Sequence, residues 1–309
     1  MTRPPQPVSI RHPRPIVIAL LAIGLVLAAQ SPAQAQGPDR RIERTVPFDA
    51  DGSFRIYNMT GSVRVEAWDR DSLSITGTVP GGRGNSFFFG GTRRGAKMGI
   101  EAPTDLEQQP AHLVIRAPAR AHVWIKSATA NVVLVGLTGG VDVFSTSGNI
   151  KFQGEPDQLN LETMDGNIDV DARGVWIRAK TASGIITLRG TGEDIAASTV
   201  SGNISLLSGG MRRARIETVS GDIAFAGTLT RDGALTVESH SGATDILLPA
   251  SMDGEFDLST YQGTIRNDFA PGKSPIAEST GMGLHFTSGD GTANVSVKTF
   301  KGAIVLRKK

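Results

Sequence analysis

One six-residue phrase, repeated at nearly constant spacing, restricts this chain more than any other feature of it. It reads Ser145-Thr-Ser-Gly-Asn-Ile, Thr163-Met-Asp-Gly-Asn-Ile, Thr181-Ala-Ser-Gly-Ile-Ile, Thr199-Val-Ser-Gly-Asn-Ile, Thr218-Val-Ser-Gly-Asp-Ile and Ser239-His-Ser-Gly-Ala-Thr. The glycines are Gly148, Gly166, Gly184, Gly202, Gly221 and Gly242, so the steps are 18, 18, 18, 19 and 21 residues. Gly263 and Gly302 sit in two later copies, Thr260-Tyr-Gln-Gly-Thr-Ile and Thr299-Phe-Lys-Gly-Ala-Ile. A fixed period near 20 marks a stacked repeat, in which each unit needs its neighbours to bury a hydrophobic face. The expected architecture is therefore all-β: a single-chain β-solenoid of about ten coils with 18–21-residue repeats.

Apolar residues recur seven and five positions before each glycine (Val141 and Val143, Leu159 and Leu161, Ile177 and Ala179) and two and four positions after it (Ile150 and Phe152, Ile168 and Val170, Ile186 and Leu188). Polar residues such as Asp142, Arg178, Lys151 and Asp169 fall between them. This is period-two alternation on both sides of the glycine, so each repeat reads as two half-buried strands joined at a corner. The corner glycine is expected to take a positive φ. The Thr or Ser three residues earlier is in phase with the buried set, and its hydroxyl is expected to bond backbone at the bend. Asn149, Asn167 and Asn203 follow the glycine and are expected to stack as an amide ladder.

The N-terminus reads as a processing segment. Arg3, Arg11 and Arg14 precede an apolar run from Ile16 to Ala29, and Ala33-Gln-Ala supplies a small-x-small site, so 1–35 is expected to be a signal peptide. The run is short for a membrane span of about 20 residues. Residues 36–45 then form a linker and 46–309 the solenoid. Residues 1–35 hold three arginines and no acid, which leaves 29 basic against 30 acidic residues beyond them. The basic balance of the whole chain thus belongs to the signal and gives no ground for nucleic-acid binding. The chain has no cysteine, which removes disulfides, thiolate metal sites and cysteine nucleophiles. The expected location is periplasmic or secreted.

The degenerate first copy, Phe54 to Trp68 with Gly61 as its corner, is followed by continued alternation from Asp69 to Val79, and the pattern then breaks until the strand His112-Leu-Val-Ile-Arg-Ala-Pro. A Gly/Phe-rich loop at 80–99 carries Phe87, Phe88 and Phe89 beside Arg93 and Arg94. Three exposed phenylalanines are unfavourable without a partner, a lipid surface or the open end of the solenoid to meet. They are therefore candidates for partner or peripheral membrane contact. The tail Arg307-Lys-Lys is expected to cap the last coil and disfavour filaments, leaving a monomer.

Three features together resemble a bacterial exported domain family of unknown function whose members are labelled putative adhesins. They are Asn58-Met-Thr-Gly-Ser-Val-Arg-Val, the strand end Ile115-Arg-Ala-Pro, and the iterated Thr-x-Ser-Gly-x-Ile. The resemblance spans about 46 to 309. It implies a β-solenoid in the cell envelope and an adhesin-like role, and it carries no catalytic motif.

Motifs for chemistry fail on inspection. Gly272-Lys-Ser lacks the glycine a phosphate loop needs at Asn267, Gly281-x-Gly283 has Phe286 in place of a third glycine, and no nucleophile elbow occurs. His112, His122, His240 and His285 lack metal spacing, so neither a metal nor a cofactor is expected. The enzymatic alternative is a polysaccharide lyase or hydrolase, with carboxylates such as Asp169 and Asp171 on a β-helix. Lys151 and Arg189 on adjacent coils are expected to neutralise them. Trp124 and Trp176 fall on outward positions three coils apart, about 15 Å, where they could stack on a glycan, meet a protein or lie under the Phe-rich loop. The reading is a non-enzymatic, exported solenoid that binds a cell-envelope protein or polysaccharide.

Overall fold

Alternation becomes structure through strict register. The computed structural model describes residues 39–81, 85–101, 109–270, 273, 275–278 and 281–309, and among these all regular structure is strand. The expected signal peptide, linker residues 36–38, loop residues 82–84 and part of the Gly272–Pro275 stretch lie outside the described residues. Strands that run into the corners form one sheet, called the leading sheet here, and strands that leave the corners form the trailing sheet. In the leading sheet Val123, Val141, Leu159, Ile177, Ile195, Ala214 and Leu235 stand in successive parallel register. In the trailing sheet Val132, Ile150, Ile168, Ile186, Ile204 and Ile223 do the same. The four isoleucines from Ile150 to Ile204 are at most 1% exposed and belong to one continuous core. An amphipathic repeat has no other way to exclude water from both inner faces at once.

In the central coils the far corner does not interrupt the strand. Segments Ile168–Lys180, Ile186–Thr199, Ile204–Thr218 and Ile223–Ser241 each run unbroken from the trailing sheet round to the leading sheet. The residues that stretch the repeat are absorbed there as register shifts: from 18 to 19 between Gly190 and Gly192, and from 19 to 21 between Leu207 and Gly210 and between Met211 and Arg213. Asp232, a non-glycine residue with positive φ (60°), turns the longest of these.

Both ends depart from chain order, in the same way. The first copy, 53–68, does not terminate the stack. It lies between Gly95–Glu101 and Ala111–Pro118 on its outer side and His122–Lys126 and Asn131–Val135 on its inner side. At the other end the last copy, 293–308, inserts between 234–248 and 254–267. The sequence-terminal coils are thus each clamped on both sides, and antiparallel strands cover the spatial ends. Ser86–Gly91 pairs with Gly95–Glu101, Arg40–Pro47 and Ser72–Val79 extend the trailing sheet, and Gly281–Ser288 pairs with Gly254–Gln262. Two expectations are corrected here. Arg307 and Lys308 do not cap the rod; they pair with Leu247 and Leu248 inside the stack, and Arg307 binds the Asp245 carboxylate. The Gly/Phe-rich segment is a hairpin, because Ser-Phe-Phe-Phe alternates correctly against Met-Gly-Ile-Glu.

The corner glycines are required by coil spacing, which also revises the expectation. Of the repeat glycines Gly148 to Gly302, Gly242 alone has positive φ. A Cβ on Gly166, Gly184 or Gly202 would stand 1.8–2.2 Å from the carbonyl oxygen of the glycine one coil earlier. The threonine hydroxyls act as expected. Thr181 Oγ1 accepts from the Gly184 amide (3.1 Å) and donates to the Met164 carbonyl one coil away (3.1 Å). The asparagines do not stack amide on amide. Each Oδ1 accepts the backbone N–H of the equivalent residue on the next coil: Asn131 from Asn149 (3.0 Å), Asn149 from Asn167 (2.9 Å), Asn167 from Ile185 (2.9 Å) and Asn203 from Asp222 (2.9 Å). Ile185, half exposed, interrupts this row and offers Asn203 no acceptor. Ile185→Asn should therefore raise stability by about 0.5–1.5 kcal/mol through one added backbone hydrogen bond. Calorimetry showing an unchanged or lower melting temperature would contradict the ladder's role.

Candidate binding faces

The outward face of the leading sheet collects the aromatic residue singled out from sequence and gives it neighbours. Arg55, Trp124, Asp142, Asn160 and Arg178 occupy equivalent positions on successive strands. Trp124 packs against Tyr57 (centroids 5.3 Å apart) and Phe144 (5.8 Å), and Tyr57 continues to Phe88 (6.4 Å). Beyond this aromatic row the surface turns polar. Asp142 is held between His122 Nε2 (2.8 Å) and Asn160 Nδ2 (3.4 Å). Asn160 Oδ1 is buried, with no hydrogen-bond partner among the described residues. Arg178 lies over the Trp176 ring at 4.5 Å, and Gln158 pairs beside that tryptophan. The face therefore runs from an aromatic patch across a carboxylate, an amide and a guanidinium to a second indole. All of these sit on rigid strands, and their planar polar groups are able to hydrogen-bond hydroxyls.

The other candidate residues are placed as follows. Phe87 and Phe89 turn inward against the core, Phe88 turns outward onto Tyr57, and Arg44 lies over Phe89. The three phenylalanines are thus half-buried in the cap rather than exposed, since strand pairing hands alternate rings to opposite faces. Arg93 pairs with Asp49 (3.0 Å), while the Arg94 side chain is exposed. Asp169 meets Arg189, and Asp171 lies opposite Arg189 in register. Asp165 accepts from Ser183 (2.8 Å). Of the two carboxylates considered for glycoside cleavage, Asp169 is thereby tied to a guanidinium. His112 bonds Ser62 (2.9 Å), His122 bonds Asp142 and His285 bonds Asp257 (3.0 Å), all on solvated faces. Among the described residues no three His, Cys, Asp or Glu side chains converge as a metal site. Near the C-terminal end the Asp253 carboxylate accepts the amides of Gly291 (2.6 Å) and Thr292 (3.1 Å). Those amides, Thr292 first, hold its pKa below the usual range.

A second feature is absent from the sequence reading. The residue two before each corner glycine points outward at the edge of the rod. In spatial order these are Thr146, Met164, Ala182, Val200, Val219, His240, Phe300 and Tyr261. Met164 is 58% exposed, Val200 53%, Val219 48%, Tyr261 48% and Phe300 40%. His240, Phe300 and Tyr261 stack face to face, with centroids 4.9 and 4.8 Å apart and planes 7° and 8° apart. From Met164 to Tyr261 this apolar ridge is about 29 Å long at one strand spacing per coil. Its signal was present in the phrases themselves. Aligning them on the glycine shows the apolar column, but chain order separates Tyr261 from Phe300 and puts them in reversed sequence.

Comparison with known proteins follows the same lines. A solved structure from Parabacteroides distasonis, described as a putative lipid binding protein, is 13% identical over 88% of this chain and 98% of its own, with a TM-score of 0.50. A putative adhesin from Parabacteroides merdae is 12% identical over 88% of this chain and 97% of its own, with a TM-score of 0.43. One from Bacteroides fragilis is 11% identical over 87% and 97%, with a TM-score of 0.39. Identities this low establish likeness of fold alone. Among curated proteins the chain has no match. Residues 54–307 match the family model described as Toastrack DUF4097, a domain of unknown function. That match covers most of the chain, and the chain belongs to the Toastrack DUF4097 family.

Proposed function

We propose that this chain is an exported, non-enzymatic binding protein of the cell envelope that holds a polysaccharide on the outward face of its leading sheet. The supporting observation is the register Trp124, Asp142, Asn160 and Arg178, with Trp176 beside its last member. Aromatic surface for the apolar faces of sugar rings and planar polar groups for their hydroxyls stand about one strand spacing apart. The Asn160 amide stands at the middle of that register, between Asp142 and Arg178. The adhesin label carried by two of the similar structures agrees with such a role. Export rests on the segment 1–35. Binding of the unit Gln36–Lys309 to immobilised glycans tests the reading. Trp124→Ala is expected to weaken the strongest signal by about tenfold or more, and Asn160→Ala to weaken it less. Binding unchanged in both variants, or no binding to any glycan, would count against this face.

A further inference from the structure

The apolar ridge is flanked by a polar column on each side, and the three columns together complement themselves when reversed. On the leading-sheet side, four residues before each corner glycine, Glu162, Lys180, Ser198, Glu217, Glu238 and Lys298 follow one another in register. Lys180 pairs with Glu162 (3.9 Å), Lys298 with Asp257 (3.9 Å) and Glu217 with Arg215, so the column is charge-balanced within one chain. Read from either end, however, it places a lysine opposite each glutamate of its outer two coils. On the other side of the ridge, one residue before each glycine, a second column begins at Asp165, continues through Ser183, Ser201, Ser220 and Ser241, and ends at Lys301. Between the two, the ridge exposes Met164, Val200, Val219 and the edge of Phe300, whose ring faces are covered by His240 and Tyr261.

Two rods meeting on this edge can be related by a two-fold axis along the rod or across it. Only the axis across the rod runs the copies antiparallel, with ridge on ridge and each column on its own counterpart. When that axis passes between the coils of Val200 and Val219, Glu162 faces Lys298 of the second copy and Lys180 faces its Glu238. In the same register Asp165 faces Lys301, Val200 faces Val219, and Met164 faces the Phe300 edge, where a thioether packs favourably. Glu217, already held by Arg215, faces the uncharged Ser198. A shift of one coil in one direction sets Glu162 against Glu238, and in the other it sets Lys180 against Lys298, and like charges opposed across an interface reject that register. We propose that this edge is an isologous interface through which two copies of the chain pair antiparallel, with the axis between Val200 and Val219. The ridge is about 29 Å long and the strip is one corner wide, less than the roughly 800 Å² per partner of a standard interface, so the dimer is weak, with a Kd on the order of 10 μM. Both leading sheets then look to the same side of the pair, although the pairing itself does not rest on the polysaccharide reading.

Sedimentation equilibrium of the unit Gln36–Lys309, from about 1 μM to about 500 μM, tests the pairing. The protein is expected to pass from monomer to dimer and stop there, because a two-fold contact closes on itself. Lys180→Glu and Glu238→Lys each oppose like charges twice across the axis, and each is expected to weaken the dimer by about tenfold or more. Mixed in equal amounts, the two variants are expected to regain a dimer about as tight as that of the unaltered chain, since both contacts are then opposite in sign again. Val219→Lys is expected to cost about tenfold and not to be rescued by mixing with either variant. All three positions are exposed, and unchanged circular dichroism melts confirm that the variants fold. Trp124→Ala is expected to leave the dimer intact, so failure of the polysaccharide reading and failure of this one are distinguishable. A monomer at every concentration would overturn the proposal, as would growth beyond the dimer or a mixture no tighter than its separate components. Capture of a long-chain fatty acid on the ridge of a chain that stays monomeric would do so too.

Discussion

Replacing Gly184 with alanine is expected to destabilise the protein by more than about 4 kcal/mol, in the range reserved for severe packing errors. The added Cβ would stand 1.9 Å from the Gly166 carbonyl oxygen and 2.9 Å from Thr181 Oγ1, and neither atom belongs to a flexible side-chain tip. The coil can escape only by lifting away from its neighbour. That breaks the ladder on the side that holds Ile168 against Ile186 and Thr181 against Met164. Gly95→Ala is the control. A Cβ there meets nothing within 4 Å, so the change should be neutral or slightly stabilising through the lost freedom of the unfolded chain. Urea denaturation of the two variants measures the contrast. Similar midpoints would mean that glycine serves these corners for some reason other than close approach.

Deleting residues 293–309 is expected to dismantle the C-terminal end rather than trim it. In a solenoid built in chain order, loss of the last coil would expose one new face and leave the remainder stacked. Here the last coil lies between 234–248 and 254–267, so its loss strands the coil 254–267 from the body. Val295, Val297, Ile304 and Leu306 are fully buried. At roughly 1.5–3 kcal/mol for each buried side chain, they contribute an amount comparable with the net stability of a typical domain. The aromatic stack of His240, Phe300 and Tyr261 loses its middle ring. Limited proteolysis should cut the truncated chain throughout 249–292 while sparing the coils between Val123 and Phe225. Continued protection of 254–267 would show that this coil does not depend on the inserted one.

What the residues announced and what they concealed divide along a physical line. The phrase around Gly148 to Gly242 disclosed the period, the buried columns and the common interior, because each is a local pattern of side chains. It did not disclose the order of coils at the ends. Parallel strands carry no turn that names their neighbour, and Val295 and Val297 alternate as well against 234–241 as against 254–262. The glycine at the corner was legible, but its reason was not. Positive φ and close approach both exclude a Cβ, and sequence does not separate them. The phenylalanines at 87–89 looked exposed because their partner strand, Gly95–Glu101, is rich in glycine and reads as part of the same loop. Trp124 was visible as an outward aromatic, whereas Tyr57 joins it only because the first copy is tucked beneath the second. Asn160 and Arg178 are common residues on a strand, and register alone makes them a site.

The inserted coil can be tested with engineered cysteines, which have no competitors because the native chain contains none. Ser241 and Lys301 stand in register on adjacent coils, as do Lys301 and Gln262, which places Ser241 and Gln262 two coils apart. A disulfide needs Cα atoms within about 7 Å, a distance that one strand spacing satisfies and two exceed. Mild oxidation should therefore link Ser241→Cys to Lys301→Cys rapidly and in high yield, and leave Ser241→Cys with Gln262→Cys unlinked. The reverse pattern, with 241 joined to 262 and not to 301, would mean that the coils stack in chain order and would contradict the architecture described above.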